Sequence, residues 1–520
     1  MSRPTSIIFL WHMHQPYYKK AGEKDYFLPW VRLHAVKDYY PFAYIVSEFN
    51  SLKANFNFSG ILVKQLADYA FNNATDYFLE LSKKDPRYLS PKEKRFIIDR
   101  FFSVNLQTMI YPYPRYNELY VKYLAKNYKL FTDKDIFDLQ VYFNLVWFHS
   151  ISFTRDKNLF QILKKGRDFS EDDKKYIFIK QYEIIQGIFP LYQQLIAEKK
   201  IELSVTPFYH PILPLLCDTD IVKNFSYLKT PVARFSYPQD AFWHIEKAKQ
   251  EAEDKFNCPI FGSWPSEGSV SETIVDLYKE NNFNWIMTDE DILFKSLQNS
   301  KVSIEALKKQ RHIVYQAYNY EGLNIMFRDK NLSDAIGFNY HHWPNLKMAA
   351  VDLINHFRNI NNFVSKIYKE HAVVIAMDGE NAWEYYPDNG RLFIDTLYKE
   401  IENAKFIKSS TVSSFIENST VKRIPRISPG SWINGDFGVW VGSDKNNHNW
   451  QLLWRIRKEL NRKDLSPNKY QKALEYLRVI EGSDWNWWNT FEDIQGDFSK
   501  IFLSYVKQIY KILGIKYNFK

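Results

Sequence analysis

Residues 372–377, Ala-Val-Val-Ile-Ala-Met, form the most apolar short run in the chain and end abruptly in an acidic cluster, Asp378-Gly379-Glu380-Asn381. Such a run reads as a β-strand buried on both faces. Six other runs repeat the pattern. Residues 6–11 (SIIFLW) end at His12-Met13-His14-Gln15, residues 54–58 (ANFNF) at Ser59-Gly60, and residues 201–206 (IELSVT) at Pro207-Phe208-Tyr209-His210. Residues 259–264 (PIFGSW) end at Pro265-Ser266-Glu267, residues 284–287 (NWIM) at Thr288-Asp289-Glu290-Asp291, and residues 323–327 (LNIMF) at Arg328-Asp329. Helical patterns separate most of the runs, for example over 241–256 and 271–281. Strands alternating with helices predict a parallel sheet of βα units. In barrels of this kind chemistry sits at the carboxyl ends of the strands, which is where the polar clusters fall.

The expected fold is therefore α/β, an incomplete (β/α)7 TIM-like barrel; the pattern alone does not separate seven strands from eight. The barrel is assigned to residues 1–400, with a helical, aromatic-rich insertion at about 65–198 that includes 136–152 and 173–196. Residues 401–520 read as a C-terminal, mostly helical domain that contributes to the cleft. Its amphipathic patterns cover 447–463, 468–480 and 496–513.

Composition limits the function classes. The 520 residues are 45% hydrophobic, which suits a globular chain with a large core. The 15 Trp, 36 Tyr and 40 Phe exceed what a core needs. They fit either stacking on sugar rings or a general compositional bias. The net charge of +9 is spread among acidic residues with no basic block, which argues for a solvated surface and against a nucleic-acid partner. Cys217 and Cys258 are far apart in sequence, so a disulfide scaffold or cysteine-based zinc site is not expected. The apolar run near the N-terminus is too short for a signal peptide, and no run spans a bilayer. A cytoplasmic protein with no membrane partner is the expectation. Oligomeric state is not readable.

Hydrolysis of a glycosidic bond requires two carboxyl groups flanking it. Glu267 follows a strand directly, in Trp264-Pro265-Ser266-Glu267-Gly268. A carboxylate there is costly unless paired or functional, although a helix N-terminal Glu is the plain alternative. Asp378 opens an acidic cluster in which like charges raise one pKa, as a general acid requires. Glu380 is a rival for that role, and an Asp-Gly turn is the plain alternative. His12 and His14, two apart on a strand, share a face; with His210 they suit either metal ligation or sugar hydroxyls. Asp484-Trp485-Asn486-Trp487-Trp488 reads as a sugar platform or as inter-domain packing, and Trp432, Trp440 and Trp450 carry the same two readings.

Five patches in order resemble glycoside hydrolase family 57, in its α-amylase and amylopullulanase branch. They are His12–Tyr17 (HMHQPY), Ile201–Pro211 (IELSVTPFYHP), Trp264–Glu267 (WPSE), Met377–Trp383 (MDGENAW) and Glu481–Trp488 (EGSDWNWW). Leu28–Tyr40 and Phe327–Phe338 add to the likeness. The resemblance implies a seven-stranded barrel followed by a helical domain, with Glu267 as nucleophile and Asp378 as acid/base. It implies glucose-binding subsites that include His12, His14, Gln15, His210 and Asp484, stacking from Trp264, Trp383 and Trp485, and no cofactor or metal. The expected activity is retaining cleavage of α-1,4-glucosidic bonds in starch, glycogen or maltooligosaccharides. α-1,6 debranching and 4-α-glucan transfer are its alternatives. More distant readings are a metal-dependent deacetylase or mannosidase on a related barrel, and a glucan-binding protein without turnover.

Overall fold

The computed structural model describes residues 3–462 and 464–516. Lys463, the last residue of the predicted 447–463 helix, residues 1–2 of the predicted barrel and residues 517–520 of the predicted C-terminal domain lie outside them.

Among the described residues ten strands form one sheet: β1 (Thr5–Met13), β2 (Ala54–Ser59), β3 (Ile201–Thr206), β4 (Gly262–Ser263), β5 (Trp285–Asp289), β6 (Tyr318–Tyr320), β7 (Leu323–Arg328), β8 (Ala372–Asp378), β9 (Ile407–Ser409) and β10 (Lys422–Arg423). Their order is β10-β6-β7-β5-β4-β3-β2-β1-β8, with β9 also against β1. Every pairing is parallel except the β6–β7 hairpin. Glu321 and Gly322 turn that hairpin with positive φ at both positions, as a two-residue connection requires. The seven predicted runs are β1, β2, β3, β4, β5, β7 and β8.

Between β7 and β8 no ladder forms, so the barrel stays open there. Single contacts bridge the gap. Asp329 N donates to Val374 O at 2.8 Å, and Arg328 Nη1 donates to Ala376 O at 3.1 Å. The charged groups at the ends of β5 and β7 are spent on ion pairs beside this gap. Arg328 holds Asp289 at 2.6 Å, and Arg311 holds Glu290 and Asp329.

Both faces of the sheet are covered, and side-chain parity decides which residue faces inward. In β1, Ile7, Phe9 and Trp11 join the large outer core, while Ile8 and Leu10 join a smaller interior cluster with Trp264, Trp285, Met287 and Met326. In β8, Val373, Ile375 and Met377 face outward and Ala372, Val374 and Ala376 inward. Each fully buried Ile or Val contributes about 1.5–3 kcal/mol, so the parity is strongly held. Continuing it puts His12 and Asp378 on the inner face, and the register pairs them directly.

Helices between β2 and β3 run from Gly60–Phe71 to Glu171–Ala197. The predicted 136–152 helix is two helices, Asp133–Leu145 and Ser150–Arg155; His149 caps the second by accepting from Ile151 N at 3.2 Å. Beyond β10 lie the helices Asp444–Arg462, Pro467–Ile480, Asp484–Phe491 and Asp497–Leu513. Among the described residues no helix is long and apolar enough to cross a membrane.

Candidate active site

The carboxyl ends of β8, β1, β2, β3 and β4 gather the polar clusters. His12 stands level with Asp378 on one side and Asn57 on the other. Its Nδ1 lies 2.7 Å from Asn57 Oδ1, which also accepts from Thr206 Oγ1 at 2.7 Å. His14 continues the face: Nδ1 meets Ser59 Oγ at 2.8 Å and Nε2 meets Asp484 Oδ1 at 3.0 Å. His210, after β3, stacks on His14 with ring centroids 3.8 Å apart and planes 9° from parallel. Its Nδ1 is 2.8 Å from Ser483 Oγ. Burial pushes His12 down to about 3 and His210 well below its ordinary range, so both rings are neutral.

Glu267 follows β4 in a short 3₁₀ turn, with φ 58° and ψ 25°. A left-handed glutamate is strained, and residues held in this way concentrate at functional sites. Trp432 holds it twice. Its backbone N donates to Glu267 O at 3.0 Å, and its Nε1 donates to Glu267 Oε2 at 2.7 Å. The helical pattern assigned to 271–281 begins only at Glu272, so Glu267 is not that helix's first-turn acid.

Asp378 ends β8. Gly379 follows because β8 crosses β1 closely there: a Cβ on it would lie 2.2 Å from Met13 Sδ. Gly379 N donates to His12 O at 2.7 Å, which fixes the backbone beside Asp378, and Asn381 Nδ2 donates to Asp378 Oδ2 at 3.3 Å. Glu380 turns away from Asp378 to accept from His14 N and Tyr39 Oη, each at 2.8 Å.

Burial and then the charge of Asp378 push Glu267 up to about 8, while the Trp432 N–H opposes the rise. Burial also raises Asp378, against the pull of Asn381, His14 and Arg328. Two such carboxyls interact and titrate together.

A cleft of about 550 Å³ opens over this constellation. Of the residues expected in it, His12, His14, Gln15, Glu267, Asp378 and Asp484 line it, and His210 lies beneath His14. The three tryptophans expected to stack on sugar do not line it. Trp264 fills the barrel interior, edge-on to Trp432. Trp383 is wholly buried among Trp11, Phe42 and Tyr386. Trp485 turns its Nε1 to Val479 O at 2.8 Å and packs on Phe502. The aromatic lining comes instead from Trp432, Trp487 and Trp488, together with Trp30 and Trp147. Of the other Trp residues read both ways, Trp440 and Trp450 are buried. Trp432 sits in an irregular segment whose sequence gives no periodicity; of its two readings, its place in space favours the cleft.

His14, His210 and Asp484 have donor atoms within 4.8 Å of one another. The two imidazoles nevertheless lie face to face, so their in-plane lone pairs run side by side instead of converging on a tetrahedral centre. The set suits hydroxyl groups better than a metal ion.

A parallel barrel with two half-buried carboxyl groups in an aromatic-walled cleft defines a class, the enzymes that act on glycosidic bonds. Within that class the chain belongs to glycosyl hydrolase family 57, which matches residues 8–428. No curated protein matches it. Several solved structures share its fold. A family 57 branching enzyme from Thermococcus kodakaraensis is 12% identical, with a TM-score of 0.63 over 98% of this chain and 90% of its own. A branching enzyme of the same family from Pyrococcus horikoshii is 13% identical, with a TM-score of 0.62 over 98% and 95%. The α-amylase AmyC from Thermotoga maritima is 13% identical, with a TM-score of 0.63 over 98% and 93%.

Proposed function

We propose that this enzyme breaks α-1,4-glucosidic bonds of glucan chains by double displacement and passes the cleaved chain to a sugar hydroxyl in preference to water. The carrying observation is the Trp432 Nε1–H on Glu267 Oε2, which favours the ionised form that a nucleophile requires against the rise imposed by burial, while burial favours a proton on Asp378, as a general acid requires. Asp378 gives that proton to the glycosidic oxygen as the C1–O bond breaks, and Glu267 bonds to C1. In the second half an acceptor hydroxyl attacks C1, its proton passes to Asp378, and the ester to Glu267 breaks. His12, His14 and Asp484 donate to and accept from the hydroxyls of the sugar being cleaved.

Transfer is preferred over hydrolysis for two reasons. Trp432, Trp487 and Trp488 give the cleft a stacking wall on which an acceptor glucan can rest and exclude water. The similar folds include two branching enzymes and a 4-α-glucanotransferase from Thermococcus litoralis beside the α-amylase.

Incubation with maltoheptaose, with products resolved by size, tests this directly. Products longer than the substrate support transfer, and only shorter ones would reduce the reading to hydrolysis. Pullulan in parallel reads α-1,6 cleavage. Glu267→Gln should abolish turnover while retaining glucan binding; near wild-type activity would remove Glu267 from its role.

A further inference from the structure

Behind the cleft, where the C-terminal helices meet the barrel, lies a buried charged cluster that the proposed chemistry does not use. Asp240 and His244 come from the helix Pro238–Phe256, Arg457 from Asp444–Arg462, and Arg478 and Glu481 from Pro467–Ile480 and the residue after it. Asp240 Oδ2 lies 3.0 Å from Arg457 Nη2. Two carboxyl groups and two guanidinium groups balance, so a buried His between them has no charge to supply.

The geometry fixes the tautomer of His244. Its Nδ1 accepts from Tyr209 N at 3.3 Å, so Nε2 carries the hydrogen and donates to Glu481 Oε2 at 3.1 Å. His244 O also accepts from Phe208 N at 2.9 Å. The imidazole thus joins the loop after β3 to Glu481. Immediately after Glu481 the chain touches that loop again. Ser483 N donates to His210 O at 3.1 Å, Ser483 Oγ meets His210 Nδ1 at 2.8 Å, and Asp484 Oδ1 meets His14 Nε2 at 3.0 Å. Gly482 permits the approach, since a Cβ there would lie 2.6 Å from Tyr209 O. His210 itself has a left-handed backbone, φ 58°, which needs support from both sides.

Resting on the proposed function, we propose that Glu481 and His244 are positioning residues: as a hydrogen-bonded pin they set the Gly482–Asp484 turn against Tyr209–His210, and so fix Asp484, His14 and His210 around the sugar to be cleaved. Neither touches substrate. Burial drives His244 down to about 3, so the pin is a neutral N–H donor at working pH.

The test uses the full chain and maltoheptaose. Glu481→Ala should lower kcat about 10–100-fold, the cost of a small displacement of groups around the reacting sugar, with KM changing less. Glu481→Gln keeps an oxygen for the His244 N–H and should retain most of the rate. In an Asp484→Ala background, Glu481→Ala should add little, because it acts through that turn. Additive losses, or a Gln variant as poor as the Ala variant, would overturn the proposal. Should Glu481→Ala not fold, His244→Asn keeps an acceptor for the Tyr209 N–H but is too short to reach Glu481, and should lower kcat in the same sense; a wild-type kcat there is equally contrary. Imidazole nitrogen NMR of the free protein needs no substrate, which separates this inference from the catalytic assignment. The His14 and His210 signals should move in Glu481→Ala, or in His244→Asn where only that variant folds, while that of the exposed His356 stays. Unmoved His14 and His210 signals overturn the pin even if every catalytic assignment stands.

Discussion

Replacing Trp432 by Phe isolates one hydrogen bond. The ring is retained, and with it much of the edge-on contact with Trp264 at 5.2 Å and the Arg328 guanidinium 4.9 Å from the ring centroid. The backbone bond to Glu267 O is unaffected. What disappears is the 2.7 Å Nε1–H on Glu267 Oε2. A hydrogen bond to a charged group contributes about 1.5–3 kcal/mol, and each 1.36 kcal/mol is about tenfold in rate, so kcat/KM should fall about 10–150-fold. The sign on pH follows. The donor favours the carboxylate, so its loss raises Glu267 from about 8 still higher and leaves less of it ionised near neutrality. The acid limb of the kcat/KM profile should therefore move to higher pH by about one unit or more. Initial rates on maltoheptaose across the acid-to-alkaline range measure both effects. A variant within about twofold of wild type, with its limb unmoved, would refute the argument that this indole selects the ionised nucleophile.

Other expectations follow from burial, charge and ligand geometry. Trp383→Ala should cost about 3–5 kcal/mol of stability, read as a lower denaturation midpoint, because it empties a closed core site; Trp488→Ala should leave the midpoint nearly unchanged and raise KM. A stable Trp383→Ala enzyme with a raised KM would return Trp383 to the cleft. Burial raises Asp240 and Glu481 to about 7 from 3.8 and 4.5, so the folded state binds more protons between these limits. Their contribution is complete below about pH 4 and is lost as pH rises through about 7, so the melting temperature should fall over that window less steeply in Asp240→Asn than in wild type. An identical slope would show that the cluster does not titrate. Exhaustive chelation should leave turnover unchanged, since the stacked imidazoles of His14 and His210 do not converge on a metal; activity lost to a chelator and restored by zinc would favour the metal-dependent reading.

The architecture was legible because the seven principal strands are buried on both faces and end in polar clusters. β6, β9 and β10 were not: they are about as short as β4 but, unlike it, are not buried throughout, so no apolar run marks them. His12 and His14 were legible by parity, which a strand imposes on any sequence. The tryptophans were not. Trp264 and Trp383 stand within a few residues of Glu267 and Asp378 in sequence, but adjacency along a chain does not decide which side of a sheet a side chain faces. Trp432 is 165 positions from Glu267 and donates to it directly. The left-handed backbone at Glu267 also left no mark, because Glu has no preference for that region and only Gly268 beside it hints at a turn.

That strain joins the site to the helical region. Two neighbouring strand ends, β3 and β4, each deliver a side chain to the site from a residue with φ 58°, His210 and Glu267. Such conformations cost of order 1–3 kcal/mol each and persist only where surrounding contacts over-determine them. In both cases many of those contacts come from beyond residue 428, where the family match ends. Trp432 bonds to the backbone and carboxylate of Glu267; Ser483 bonds to the backbone and imidazole of His210. The chain after the barrel is therefore more than a wall for the cleft. It supplies the bonds that hold both strained residues, and it also carries Asp484 and the aromatic surface. Catalytic geometry and the docking of this part of the chain are thus one equilibrium: loosening the segment around Trp432 releases Glu267, loosening the turn at Ser483 between the C-terminal helices releases His210, and turnover should fail before the barrel itself unfolds.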